Sequence, residues 1–147
     1  MSLEAEVVLR FHKPEDMNCI SDNWGKSYYR GSSAYRHFTP ETFHSFHRPI
    51  RERFFLKENT TLLVASWNSD PWLILGWIAF ESLPEATLLH YIYIKNSLKQ
   101  EGIANLLMRI ALPMRPVIFT HLTEKAEKIM RQKKERFKDF IYIPNLV

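Results

Sequence analysis

Residues 86–112, ATLLHYIYIKNSLKQEGIANLLMRIAL, hold the reading that decides the fold. The run from Ala86 to Lys95 is rich in β-branched, aromatic and aliphatic residues and reads as a strand. Ile103, Leu106, Leu107 and Ile110 then recur at helical spacing until Pro113, which cannot continue a helix. Gly102 stands where strand gives way to helix. A glycine there lets the backbone approach a ligand closely, and the amides of a first helical turn, at the positive end of its dipole, suit a phosphate. Lys95 and Lys99 add positive charge beside it. The same glycine equally serves a tight turn between solvated lysines.

Outward from this unit the chain alternates elements without a linker, repeat or low-complexity stretch. AEVVLRFH at 5–12 predicts a first strand, and Pro14 opens a helix from about 14 to 29. Gly25, Gly31 and a serine pair in WGKSYYRGSSAYRHF (24–38) read as a loop. Thr39-Pro40-Glu41 is a helix start, and Phe43, His47, Ile50 and Phe54 extend that helix to about 56. Runs at 60–67 and 72–80 flank the turn residues Asn68 to Pro71 and, with 86–95, predict an antiparallel meander. A strand at 115–122, a charged helix from Thr123 to about Asp139 and a short strand in IYIPNLV, with edge-suited Pro144, complete the order β-α-α-β-β-β-α-β-α-β.

The chain's 147 residues are 46% hydrophobic, 14% aromatic and 24% charged, which fits one packed domain over 1–147 and excludes disordered or collagen-like composition. Cys19 is the lone cysteine, so no internal disulfide forms and a reducing cytoplasm is the expected location. The first residues lack the n-region and h-region of a signal peptide, and no apolar run is long enough to predict a membrane span. Of the net charge of +4, most lies between Glu124 and Asp139, where seven basic residues face four acidic ones. Their interleaving reads as a solvated helix, with nucleic acid as the alternative partner.

Together, this element order and Lys99-Gln100-Glu101-Gly102-Ile103-Ala104 resemble the GNAT superfamily of acyl-CoA-dependent N-acyltransferases. That family's signature is Gln or Arg, two residues, Gly, one residue, then Gly or Ala. Gly102 and Ala104 match it, whereas Lys99 replaces the first residue and changes the donor's geometry. The agreement in element order runs from about residue 5 to 145. It implies an α+β fold with a central mixed, mostly antiparallel sheet flanked by helices. It further implies acetyl-CoA as cosubstrate, with no metal: backbone groups of Ile92 and Ile94 meeting the pantetheine arm, and Lys99, Gln100, Glu101, Gly102, Ile103 and Ala104 holding the pyrophosphate.

The resemblance also implies direct attack of a primary amine on the thioester, which needs a base and a proton source for the thiolate. Strand alternation puts Leu88, His90, Ile92 and Ile94 on one face, so His90 is the expected base there, with Glu81 as a second candidate. Each has a plain alternative, a satisfied core histidine and a solvated turn carboxylate. His121 or Thr123, where the family often has a cofactor-facing Asn, is the candidate for that proton source, and either also suits a helix cap. The tyrosine that many members carry in the last long helix is absent from Met130 to Arg136, and one strand stands where the family usually has a longer hairpin. Tyr91 and Tyr93 fall on the opposite face by parity, as packing residues. Trp24, Tyr28, Tyr29 and Tyr35, in the segment bordering the implied acceptor groove, are the expected acceptor contacts, or a cover for the sheet edge.

His44 and His47 sit three apart on one helix without a third metal ligand, which favours packing. GxSxG, Walker and HExxH patterns are missing. Three functions therefore fit the residues: an N-acetyltransferase for an unidentified amine, acting as monomer or homodimer; a GNAT-like interaction module without catalysis; and a basic nucleic-acid binder.

Overall fold

The computed structural model describes residues 6–95, 102–112 and 116–144. One six-stranded sheet runs in chain order: β1 (Val7–Phe11), β2 (Thr60–Trp67), β3 (Asp70–Ser82), β4 (Thr87–Ile94), β5 (Val117–Phe119) and β6 (Phe140–Tyr142). β1 to β4 are antiparallel neighbours, while β5 runs parallel to β4 and β6 parallel to β5. The mixed, mostly antiparallel sheet and its helices follow the order expected from the sequence.

Two cores sandwich the sheet. On one face α1 (Met17–Gly31) and α2 (Pro40–Leu56) bury Ile20, Trp24, Tyr28, Phe43 and Phe54 against Leu62, Val64, Trp77, Ala79 and Tyr91. On the other, α3 (Ile103–Ala111) packs Ile103, Leu107 and Ala111 on Ile78, Phe80, Leu89 and Ile94. Met130 of α4 (Glu124–Gln132) joins that second core.

The helix expected over about 14–29 forms as α1 after a 3₁₀ turn at Pro14–Asp16, while the loop read over 24–38 begins only after Gly31. Trp24 to Gly31 are helical, and only a short 3₁₀ turn at Ser33–Tyr35 remains of the expected loop. Ile20, Trp24 and Tyr28, four residues apart, form its buried stripe, and that burial outweighs the propensity cost of Gly25. Gly25 leaves room for Arg51, whose Nη1 lies 2.9 Å from where a Cβ would stand. At the other end α4 stops at Gln132 rather than Asp139. Lys133 and Arg136 lie in the turns that follow, so that Phe137 packs its ring 5.0 Å from Phe140. β5 and β6 have three residues each, shorter than the expected 115–122 and 141–147.

Candidate active site

The sheet opens between β4 and β5. Their pairing covers only Thr87, Leu88 and Leu89 against Val117, Ile118 and Phe119, and the Thr120 N–H to Leu89 carbonyl bond at 3.1 Å is its last link. β4 continues to Ile94. Because Lys95 N–H donates to Leu75 O (2.9 Å), ladder alternation turns the N–H and C=O of Ile92 and Ile94 away from β3 onto the open edge. A cavity of about 300 Å³ follows this edge, walled by Ile92, Ile94, Ala104, Met108, Met130 and Phe137 and touched by His90 and His121.

Gly102 precedes α3, whose Ala104 lines that slot, with φ of 80°, the left-handed region, and a Cβ there would meet no atom within 4 Å. Backbone geometry, not space, selects glycine. The first bond of the helix ladder is Leu106 N–H to Gly102 O (3.0 Å), so the amides of Ile103, Ala104 and Asn105 lie ahead of it. Arg136 Nη2 donates to Asn105 Oδ1 (2.5 Å), a cation beside the helix start that the sequence reading left among solvated charges. Lys95 is exposed at the end of β4. Lys99, Gln100 and Glu101 lie outside the described residues.

β4 carries a β-bulge that changes which residues share a face. Tyr91 opposes Ala79 but Leu89 opposes Phe80, which leaves His90 as the extra residue. Leu89 therefore joins Ile92 and Ile94 on the α3 side, while His90 and Tyr91 both face α1 and α2. The strict alternation that grouped Leu88 and His90 with Ile92 and Ile94 is corrected by this bulge. His90 instead lies with its ring centre 4.8 Å from Phe54.

On that face the three candidate catalytic residues join one hydrogen-bonded chain. Arg51 Nη1–H donates to His47 Nδ1 (2.5 Å), and His47 Nε2 meets His121 Nε2 (3.0 Å). His121 Nδ1 reaches Thr120 Oγ1 (2.8 Å), Thr120 Oγ1 reaches His90 Nδ1 (3.0 Å), and His90 Nε2 reaches Glu81 Oε2 (2.7 Å). Lys57 Nζ stands 3.8 Å from Glu81 Oε1, and Arg51 Nε–H is held by Ser21 Oγ (3.1 Å).

The two ends fix the order of every proton between them. A guanidinium only donates and a carboxylate only accepts. Burial first, then neighbouring positive or polar groups, pushes His47 down to about 2 and His121 down to about 3, and burial lowers His90 against the opposing pull of Glu81. All three imidazoles are neutral at ordinary pH. His47 therefore donates from Nε2 to His121, His121 from Nδ1 to Thr120, Thr120 to His90, and His90 from Nε2 to Glu81. His47 and Thr120 were not among the expected site residues. Nothing local marks them, because their partners lie 74 and 30 residues away in sequence.

The expected acceptor contacts separate. Trp24 is fully buried beneath Phe54, Trp77 and Tyr91, which places it in the core rather than at a ligand surface. Tyr29 turns outward, its hydroxyl donating to Phe38 O and its ring on Phe43. Tyr28 and Tyr35 wall a second cavity of about 190 Å³ that also touches His47, Thr120 and His121. Thr123 caps α4, its hydroxyl accepting from Ala126 N–H (3.1 Å), and its residue also borders the slot. The slot wall near the missing helix tyrosine is apolar, formed by Met130 and Phe137. Tyr91, bonded to Ser27 Oγ (2.8 Å), is pushed up to about 12 by burial.

The basic residues of α4 and the turns after it are partly paired: Arg131 with Glu127, Lys138 with Glu135 (3.9 Å), while Glu124 meets Arg36 (2.5 Å). Among the described residues no three His, Cys, Asp or Glu side chains cluster for a metal, and no helix is long and apolar enough to cross a membrane.

Solved structures similar to this chain share one fold. A GCN5-related N-acetyltransferase from Ralstonia eutropha JMP134 superposes with a TM-score of 0.64 at 13% identity, covering 86% of this chain and 90% of that one. The chain has the GNAT fold. Two further structures with this fold are similar: the ribosomal-protein-alanine N-acetyltransferase from Brucella melitensis biovar Abortus 2308 (TM-score 0.56, 15% identity, 86% and 90% covered) and the PaiA N-acetyltransferase from Thermoplasma acidophilum in complex with coenzyme A (TM-score 0.51, 17% identity, 87% and 74% covered). No family model matches the sequence, and no curated protein matches it by sequence. The GNAT fold therefore rests on the three-dimensional arrangement, in which the parted β4 and β5 strands and Ala104 of α3 border one slot.

Proposed function

We propose that this protein is an acyl-CoA-dependent N-acyltransferase that uses acetyl-CoA and a primary amine. The observation that carries the reading is the open β4 edge lying beside the ordered chain from His121 to Glu81. The N–H and C=O of Ile92 and Ile94 on the open edge suit the amide-bearing pantetheine arm, and the apolar slot suits its methylenes. The first-turn amides of α3 at Ile103 and Ala104, with Gly102, suit the pyrophosphate, and Arg136 adds a cation to that end. Lys99, Gln100 and Glu101 are assigned to the same phosphate site by their place in the sequence.

In the reaction the amine nitrogen forms a bond to the thioester carbon, the C–S bond breaks, and coenzyme A leaves as thiolate. The proton lost by nitrogen passes to His121 Nε2 as His47 yields that position. His121 then releases its Nδ1 proton to Thr120, Thr120 its hydroxyl proton to His90 Nδ1, and His90 its Nε2 proton to Glu81. Glu81 ends protonated and each imidazole ends neutral. His121 is the base that touches substrate, while His90 and Glu81 move its proton onward. The thiolate takes a proton from solvent at the slot mouth. A one-step relay of this kind avoids forming an imidazolium in a buried site.

A second reading, a GNAT-fold acyl-CoA binder without turnover, is favoured by one observation: both ring nitrogens of His90 and of His121 are already engaged inside the protein. Thiol release from acetyl-CoA with a panel of primary amines separates the two. Amine-dependent release that falls about 10²-fold or more in His121→Ala supports the transferase. Acetyl-CoA binding without release for any amine supports the binder.

A further inference from the structure

The smaller cavity adjoins the acyl slot at His121, which lines both. Its wall is made by Tyr28, Tyr35, Ile50, Tyr142, His47 and His121, with a volume of about 190 Å³. That is below the ~300 Å³ at which pockets begin to take drug-sized ligands, and it suits a single ring. Tyr28 packs its ring 4.7 Å from His121 and 5.6 Å from Tyr35, both edge to face. The enclosure is therefore aromatic on several sides.

Its electrostatics are unusual for a site that receives an amine. Among the described residues no carboxylate lines it. Glu81 is separated from it by Thr120 and His90 and already faces Lys57 at 3.8 Å, and Glu124 is bound to Arg36 at 2.5 Å. The fixed charge directly behind the wall is positive, since Arg51 Nη1 sits 2.5 Å from His47 Nδ1. An ammonium entering here meets neutral phenols and imidazoles in front of a guanidinium and gives up its water for no counter-charge. An uncharged amine escapes that penalty. It finds a donor in His47 Nε2–H and an acceptor in His121 Nε2, the two atoms that otherwise bond each other at 3.0 Å.

We infer that the cavity beside the His47–His121 contact is the acceptor subsite, and that it selects a weakly basic amine on a single aromatic ring, uncharged at neutral pH, over alkylammonium ions and polyamines. This rests on the acyl-transfer reading for its role as acceptor subsite, but the binding preference stands or falls by itself.

Aniline and benzylamine test it, because they differ little in shape and are respectively neutral and cationic at pH 7. Binding to the full chain without acetyl-CoA is followed by the ring-nitrogen NMR signals of His47 and His121. Aniline is expected to bind at least tenfold tighter than benzylamine at pH 7, with benzylamine gaining close to tenfold per pH unit up to pH 9. Spermidine is expected not to perturb these signals. Ile50→Trp, which fills the cavity, and Tyr142→Ala, at an exposed position, are both expected to weaken aniline binding by about tenfold or more while the fold stays intact by circular dichroism. Tighter binding of benzylamine or spermidine, or aniline binding unchanged in both variants, overturns the inference. Aniline binding without acetyl transfer would leave the subsite standing and defeat the transferase reading. Transfer to benzylamine in preference to aniline would do the reverse.

Discussion

His47 Nε2 and His121 Nε2 face each other at 3.0 Å across 74 residues of sequence, and a single proton sits between them. Arg51 decides on which ring it resides, because a guanidinium at His47 Nδ1 leaves that ring only Nε2 for its own hydrogen. His121 Nε2 is thereby kept unprotonated, as the base role proposed for it requires.

Replacing that charge is the first test. Arg51→Met removes the donors to His47 and Ser21 and leaves one buried and one half-buried acceptor to re-pair, an effect of about 1–3 kcal/mol by urea unfolding. The tautomer of His47 is then expected to become mixed, visible as averaged ring-nitrogen NMR shifts. A variant that keeps one sharp His47 tautomer would mean that Arg51 does not set it.

The same histidines predict an acid limit. Both His47 and His121 have folded-state values, about 2 and about 3, below that of an unfolded histidine near 6.5. The unfolded chain therefore takes up protons first as pH falls. Their contribution is complete above pH ~6.5 and declines below it towards the folded values, by about 1.4 kcal/mol per pH unit for each proton that only the unfolded chain binds. Urea midpoints are expected to be flat from pH 7 to 8 and to drop steeply from 6 to 4. In His47→Phe the drop should be shallower. An unchanged slope in that variant would show that acid sensitivity arises elsewhere.

Glu81→Gln keeps a carbonyl oxygen for His90 Nε2–H but removes the final proton acceptor. kcat is expected to fall on the order of 10²-fold, with the acetyl-CoA KM unchanged and partial recovery in Glu81→Asp. Because the role proposed for Glu81 runs through His90 and Thr120, a loss confined to KM would identify it as a structural partner only.

Much of the fold was legible because the signals were local: the turn residues Asn68 and Ser69, although β3 begins at Asp70 and not at 72, the Thr39-Pro40 start, and the helical spacing after Gly102. The His90 bulge was not, since an extra residue in β4 leaves no trace in the alternation of a strand buried on both faces. Gly25 misled for a similar reason. It reads as a helix breaker, yet its lack of a side chain admits Arg51, and the Ile20, Trp24, Tyr28 stripe holds the helix across it. His90, Glu81 and His121 were visible as titratable side chains near the presumed slot. Their connection was not, because Thr120, His47 and Arg51 join them through contacts between distant segments.

Two glycines yield contrasting outcomes. Gly102→Ala forces a side chain into φ of 80° where no neighbour clashes, so the cost is the backbone's, about 1–2 kcal/mol. Gly25→Ala instead places a Cβ 2.9 Å from Arg51 Nη1 in an ordinary helix. It is expected to shift the His47 ring-nitrogen signals, which Gly102→Ala leaves alone. Identical NMR responses from the two would contradict the distinction between strain and displaced contact.

Calorimetric titration of acetyl-CoA into the native protein and into Ile92→Pro tests the central claim most directly. Proline at Ile92 removes an N–H on the open edge of β4 while sparing the bonds to β3. One site per chain is expected for the native protein and at least tenfold weaker binding for the variant, with its fold retained. No heat of binding at millimolar acetyl-CoA, or equal affinity in both proteins, would contradict it.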